Sequence, residues 1–261
     1  MQDRHINRKK YFEEQTYTTS KYVIPFIKPY IHDISTIRVL EIGCGEGGNL
    51  KPFLDLGAHC VGIDLSSAQI ENAKLFYQDD PNSSNIQLIS EDIYNVEPFD
   101  FQFDLIMLRD VIEHIPNQEK FMGFVKQFLK KDGIMFFGFP PWYNPFGGHQ
   151  QVLQGIASKI PYYHILPKTL YLGILNLFGY KKKDVLELME IHDTGISIER
   201  FERILKKENY AILKKTDFLF NPNYEIKFGL KPKTVIFPFH KIPFIRNFYT
   251  TAVYYLMKNE K

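Results

Sequence analysis

Residues 39–50 read V-L-E-I-G-C-G-E-G-G-N-L, a short apolar strand running into a glycine turn that opens a helix. No other stretch restricts the fold of this chain as tightly. Gly43, Gly45 and Gly48 satisfy G-x-G-x-x-G, in which glycines let the backbone approach a ligand at a helix N-terminus. Alone, the pattern is shared by dinucleotide sites and by turns that hold no ligand. Glu41, two residues before the first glycine, narrows the choice. A nicotinamide dinucleotide would bring two phosphates to this turn, and like charges at short range in a cleft repel.

S-adenosylmethionine carries an ammonium, a carboxylate and a sulfonium but no phosphate, so an acidic neighbour suits it. The run E-I-G-C-G-E-G resembles motif I of the class I S-adenosylmethionine-dependent methyltransferases, where E/D-x-G-x-G-x-G closes the first strand. The resemblance covers residues 38–140 and, more loosely, the last strand. It implies an α/β fold: a Rossmann-like, seven-stranded, mostly parallel sheet with helices on both faces and a reversed last strand. It also implies S-adenosyl-L-methionine as cofactor.

The order of elements agrees with that fold. After the glycine turn, Asn49–Leu56 reads as a helix with Pro52 near its start, where a missing N–H costs little. His59–Ser66 is a second apolar strand ending in Asp64, placed to accept hydrogen bonds from ribose hydroxyls. Ser66 can cap the next helix. The third strand, I-Q-L-I-S, runs into Glu91 and Asp92, and in the resembling family an acidic residue here meets the adenine amino group while its neighbour, here Ile93, packs on the ring. The fourth strand spans residues 103–108, and Asp132-Gly133 is read as a turn into the fifth, I-M-F-F-G-F. The expected cofactor set is Glu41, Gly43, Cys44, Gly45, Asn49, Asp64, Leu65, Asp92, Ile93 and Arg109.

Methyl transfer from a sulfonium needs an aligned nucleophile, and an oxygen nucleophile also needs its proton removed by a base or its pKa lowered by a metal. His114, after strand four, and His149, in the loop after strand five, are the catalytic candidates. Asp110, Glu113 and His114 form D-x-x-E-H, whose spacing puts the two carboxylates on one face of a helix. This resembles the E-x-x-E-H motif of small-RNA 2′-O-methyltransferases and certain quinone O-methyltransferases, in which a distant His after strand five completes a metal shell. The resemblance thus offers Asp110, Glu113, His114 and His149 as ligands of a divalent ion, with Asp110 one methylene shorter than the motif's first Glu. The blander alternative has Glu113 and His114 capping a helix beside Arg109.

The 261 residues are read as a single domain: an N-terminal cap (1–34), a cofactor core (35–140), an inserted helical lid (141–195), and a C-terminal part (196–261) with a second insertion near 221–247. In the cap, the apolar segment Tyr22–Ile34 is expected to lie as a short helix over the cofactor mouth, with Tyr11, Tyr17 and Lys21 near the ligand. Trp142, Tyr143, Phe146, Tyr162, Tyr163 and His164, with Lys159, Lys168 and Lys181 to Lys183, are read as acceptor walls; the alternative makes these aromatics the insertion's own core. Tyr224–Phe248, with its lysines among apolar residues, is also open to contact with a membrane surface, though prolines break it. Thr250–Met257 is the expected last strand.

The totals exclude more than they assign. Thirty-two basic residues against 30 acidic give no global field for nucleic acid. No window has the eighteen or so apolar residues of a membrane span. The polar N-terminus has no signal-peptide core, and two cysteines, Cys44 and Cys60, make no disulfide framework, so a cytoplasmic protein is expected. Methylation of an oxygen on a small molecule, with sugar, quinone or lipid-linked acceptors all open, is the expected function; nitrogen acceptors and the oligomeric state are left open. A nicotinamide-dependent oxidoreductase, disfavoured by Glu41 and the lack of a Tyr-x-x-x-Lys pair, and a non-catalytic cofactor-binding module are the rivals.

Overall fold

The computed structural model describes residues 7–260; the start of the expected cap, 1–6, lies outside the described residues. Strands whose apolar side chains alternate between two buried faces build the sheet. In β1 (Arg38–Ile42), Leu40 and Ile42 join one core while Val39 joins the other. The same division runs through β4 (Phe103–Arg109), with Ile106 and Leu108 opposite Leu105 and Met107. Period-two alternation with both faces apolar demands helices on both sides. These are α2 (Lys51–Asp55), α3 (Ser67–Tyr77), α4 (Gln118–Val125) and α7 (Ile198–Lys207).

With β2 (His59–Asp64), β3 (Ile86–Ser90), β5 (Leu129–Phe139), β6 (Tyr210–Phe220), β7 (Lys233–Thr234) and β8 (Ala252–Asn259), the order is β3-β2-β1-β4-β5-β8-β6-β7. β8 is antiparallel to both neighbours, so the reversed last strand slots in between β5 and β6 as expected. The sheet has eight strands rather than seven, because the two-residue β7 pairs with the edge of β6. Asp132-Gly133 does not end a helix with a turn: β5 runs unbroken from Leu129, and the extra residues are absorbed where the β4 register jumps from Phe103–Leu129 to Leu105–Ile134. Strand order reverses between β1 and β4, opening the crevice at their C-terminal ends.

The cap starts earlier than its apolar segment suggested. α1 (Arg8–Thr18) continues through a π-helical turn, Thr19–Val23, into Ile24–Ile27. Its backbone lies directly on the glycine turn. Thr16 donates to the carbonyl of Gly48 at 3.0 Å, and Arg8 grips the buried Glu46 with two bonds of 2.6 and 2.5 Å. After β5 come α5 (Lys168–Leu177) and α6 (Lys182–Thr194), which share a separate core around Tyr171, Leu175 and Leu188. The second insertion contributes α8 (Asn223–Phe228) and α9 (Ile245–Tyr249).

A Cβ at Gly48 would stand 2.5 Å from the Phe12 carbonyl oxygen, whereas one at Gly173, within α5, would meet nothing within 4 Å. Gly48→Ala is therefore expected to destabilise by about 1–3 kcal/mol through displacement of α1. Gly173→Ala should instead stabilise by roughly 0.5–1 kcal/mol through helix propensity. Urea denaturation of both variants checks the contrast.

Candidate active site

A cavity of about 710 Å³ opens over the C-terminal ends of β1, β2, β3 and β4. Its floor is the glycine turn, where Gly43 and Gly45 adopt φ of 72° and 55°. A side chain at Gly43 would collide with Val111 at 2.5 Å, so only glycine keeps the backbone open here. Asp64 braces the turn from the tip of β2: one carboxylate oxygen accepts from Gly45 N and the other from Ser66 N, each at 2.8 Å. Gly43 N and Cys44 N both donate to the Ile63 carbonyl.

The expected cofactor residues divide into two groups. Gly43, Gly45, Asp64, Leu65, Asp92, Ile93 and Arg109 line the cavity. Glu41, Cys44 and Asn49 do not; they are buried behind it. Glu41 thus differs from the charged neighbour of a ligand that its place in the motif suggested. Burial pushes its carboxyl up to about 8, against the pull of the Asn49 hydrogen bond and the Arg109 charge. Asn49 donates to Glu41 at 2.6 Å and accepts from Arg109 at 2.7 Å and from the Thr19 hydroxyl at 2.8 Å. Arg109 reaches on to Asn223 of α8.

At the other side of the cavity stand Asp110, Glu113, His114 and His149. D-x-x-E-H does not form an α-helical face. Asp110 is left-handed (φ 56°) with its N–H donated to Gly138 O at 2.7 Å, and Ile112–His114 is a single 3-10 turn. Ligand atoms of Glu113, His114 and His149 nevertheless lie within 4.8 Å of one another; Asp110, expected as a fourth ligand, is not in that group. The two imidazole rings are 5.0 Å apart, edge to face, and His149 Nε2 is 3.8 Å from Glu113 Oε1. Glu113 is fully buried, and neither carboxylate oxygen has a hydrogen-bond partner among the described residues. Burial and the nearby Asp110 charge drive its pKa well up, while the surrounding protein lowers that of His114.

Trp142, Tyr163 and His164, read as acceptor walls, belong to the lid core, and Tyr143 and Tyr162 pack against Phe248 instead. Tyr163 packs with Tyr171, and Trp142 stands edge-on to His164 and His192. His164 is fully buried, bonded to the Trp142 carbonyl at 2.8 Å, and desolvation pulls it down to about 4. Of that set only Phe146 reaches the cavity. Lys168 pairs with Asp193, and Lys159, Lys168 and Lys181 to Lys183 are absent from the cavity wall. Tyr11 lines the cavity, but Tyr17 and Lys21 do not; Lys21 pairs with Glu225 of α8 at 3.0 Å. The wall gains residues the sequence did not mark: Glu14 and Gln15 of α1, Glu187 of α6, and Asn223, Tyr224, Lys227 and Phe228 of α8. Helical spacing of Tyr11, Glu14 and Gln15 was a legible signal of one shared face.

The cavity fits S-adenosylmethionine on its own terms. Its glycine floor leaves room for backbone approach, an acidic residue stands at the second strand tip, and Glu14 presents a buried oxygen, Oε2, without a partner among the described residues. A cationic amino-acid tail satisfies such an oxygen; a pyrophosphate does not. The fold is a Rossmann-like α/β fold, and its glycine-floored cavity has the chemistry to take S-adenosylmethionine. The family described as a methyltransferase domain matches residues 12–154, more than half of the chain, and the chain belongs to that family. This membership goes against the nicotinamide-dependent rival.

Among curated relatives, the chain is similar to the ubiquinone biosynthesis O-methyltransferase of Rickettsia typhi, 31% identical over 115 residues, 44% of this chain and 45% of the relative. The enzyme of the same name from Rhodopseudomonas palustris is 36% identical over 102 residues, 39% of each chain. The matched part is therefore less than half the length of these relatives. A solved S-adenosylmethionine-dependent methyltransferase from Clostridium acetobutylicum superimposes with a TM-score of 0.55 at 17% identity, covering 94% of this chain and 92% of that one, and shares the fold.

Folded Glu41 releases its proton near pH 8, against an ordinary value of 4.5 when unfolded. The folded state therefore holds the extra proton between those values, and its stabilising effect is lost as pH rises through the window. Relative to Glu41→Gln, the ligand-free protein should lose up to roughly 1.4 kcal/mol per pH unit there. Unfolding curves of both proteins at several pH values provide the check. Asp64→Ala should weaken S-adenosylhomocysteine binding about 10- to 100-fold by calorimetry, because it removes a charged acceptor and frees the turn.

Proposed function

We propose that the protein methylates a hydroxyl oxygen on a small, ring-bearing acceptor, in keeping with the name of its quinone-pathway relatives. The supporting observation is that one cavity joins the glycine turn to the Glu113, His114 and His149 cluster. S-adenosylmethionine, when bound, supplies an electrophilic methyl group on a sulfonium for in-line displacement.

In this reading the chain's residues align the two partners and keep water out. Glu14 takes the ammonium, Asp64 the ribose hydroxyls, and Asp92 the adenine amino group, with Leu65 and Ile93 against the ring. α8 is tied to the π-helical turn after α1 by Lys21 and Tyr22, which both bond to Glu225. His114 and His149 face the acceptor hydroxyl. One carboxylate and two imidazoles, with both Glu113 oxygens unpartnered, suit a divalent ion. Glu113, His114 and His149 would hold it, where it would lower the pKa of the acceptor hydroxyl. A second reading, with a histidine alone as base, rests on the same ring pair. The two cysteines are free and buried, in keeping with a reducing cytoplasm. No helix among the described residues is long and apolar enough to cross a membrane.

With a catechol as acceptor, His149→Ala should lower kcat by about 10²- to 10⁴-fold. Its affinity for S-adenosylhomocysteine should stay within about twofold, since neither reading gives His149 a cofactor contact. Unchanged turnover removes the role of His149. Chelation decides between the readings: loss of activity with EDTA, restored by added Mg²⁺, Mn²⁺ or Zn²⁺, supports the ion, and full activity in EDTA supports the base.

A further inference from the structure

Between Glu225 and Glu260 the sequence contains no acidic residue, yet residues 226–249 carry Lys231, Lys233, Lys241 and Arg246, besides Lys227 in the cavity wall. The same stretch turns large apolar side chains outward. Ile236, Phe237 and Phe244 are 66%, 71% and 60% exposed, and Ile245 and Tyr249 are also exposed. Ring and cation contacts tie part of the stretch together. Lys241 Nζ lies 5.6 Å from the Phe237 ring centroid, and Phe239 stands 5.1 Å from Tyr249. Tyr249, Ile245 and Phe248 then meet Tyr162 of the first insertion around a shallow apolar groove.

The base of this surface is fixed. Arg246 is drawn inward by Glu199 at 2.8 Å and Glu202 at 2.7 Å, both on α7. Glu199 also accepts from Phe244 N and from the Asn247 side chain. Glu199 and Glu202 are thus already committed to Arg246, and the exposed charges of the stretch are Lys231, Lys233 and Lys241.

We propose that this face docks the protein onto the surface of a bilayer carrying anionic lipids. Exposed aromatic and aliphatic side chains enter the headgroup boundary while lysines meet lipid phosphates, a division of labour typical of proteins that lie on membranes without spanning them. Large apolar side chains exposed together beside lysines mark an interaction surface. Charge selects the occupant. A second copy placed on the same face by two-fold symmetry would set lysines against their own images with no carboxylate to receive them. The inference is independent of which acceptor is methylated.

The test is co-sedimentation of the full chain with vesicles of phosphatidylglycerol and phosphatidylcholine, against vesicles of phosphatidylcholine alone. At least a tenfold preference for the anionic vesicles is expected, falling as salt rises. Phe237→Ser with Phe244→Ser should lower binding at least tenfold, and Lys231→Gln, Lys233→Gln and Lys241→Gln about fivefold for each lysine near the lipid. Thermal midpoints close to that of the parent would show that both variants fold; if either does not, the comparison between vesicle types still decides. Equal weak binding to both vesicles, or variants that pellet like the parent, would overturn the proposal. So would a concentration-dependent dimer in sedimentation velocity that the double serine variant dissolves.

Discussion

A buried carboxyl bonded to an amide, and an amide bonded to a guanidinium, hold this molecule's parts in register. Glu41 sits on β1, Asn49 follows the glycine turn, Arg109 ends β4, Thr19 continues α1 and Asn223 begins α8. Five segments scattered through the chain are thereby joined under one cavity. Buried polar groups need their partners, because an unsatisfied one costs about as much as several surface contacts supply. The network thus fixes how the cap and the second insertion meet the sheet more strongly than apolar packing alone, which tolerates sliding.

That arrangement separates the site into two halves with different origins. The half proposed for the cofactor is made by tips of the parallel strands, where the reversal of strand order between β1 and β4 opens a crevice. The half proposed for the acceptor is assembled from the turn after β4, the loop after β5 and helices from both insertions. Glu113 is the pivot between them: it is buried, its carbonyl accepts from Thr194 of α6, and its side chain faces the two imidazoles. A buried carboxylic acid without hydrogen-bond partners favours its neutral form, and that cost is tolerated where a cation or a reacting proton can take up the charge.

Much of this was legible from the chain alone. G-x-G-x-x-G after an apolar strand, an acidic residue near each of the next strand ends, and a reversed last strand are local patterns, set by backbone sterics and by residues close in sequence. Tyr11 and Phe146 were marked as candidates near the site and do line the cavity. Aromatic content by itself misled at Trp142, Tyr163 and His164, since a hydrophobic ring reads the same in a lid core as in a ligand wall. D-x-x-E-H misled in another way: its helical spacing lost meaning once Asp110 took a left-handed backbone.

The sequence by itself determined the topology and the kind of cofactor, because both depend on periodic burial and on a turn a few residues long. Only the tertiary structure decided that Glu41 lies behind the turn with its proton retained, and that α8 is tied to the π-helical turn after α1 across some two hundred residues through Glu225. It also brought Glu113, His114 and His149 together while leaving Asp110 out. Desolvation and long-range contact are properties of neighbours in space, and no short window of sequence contains them.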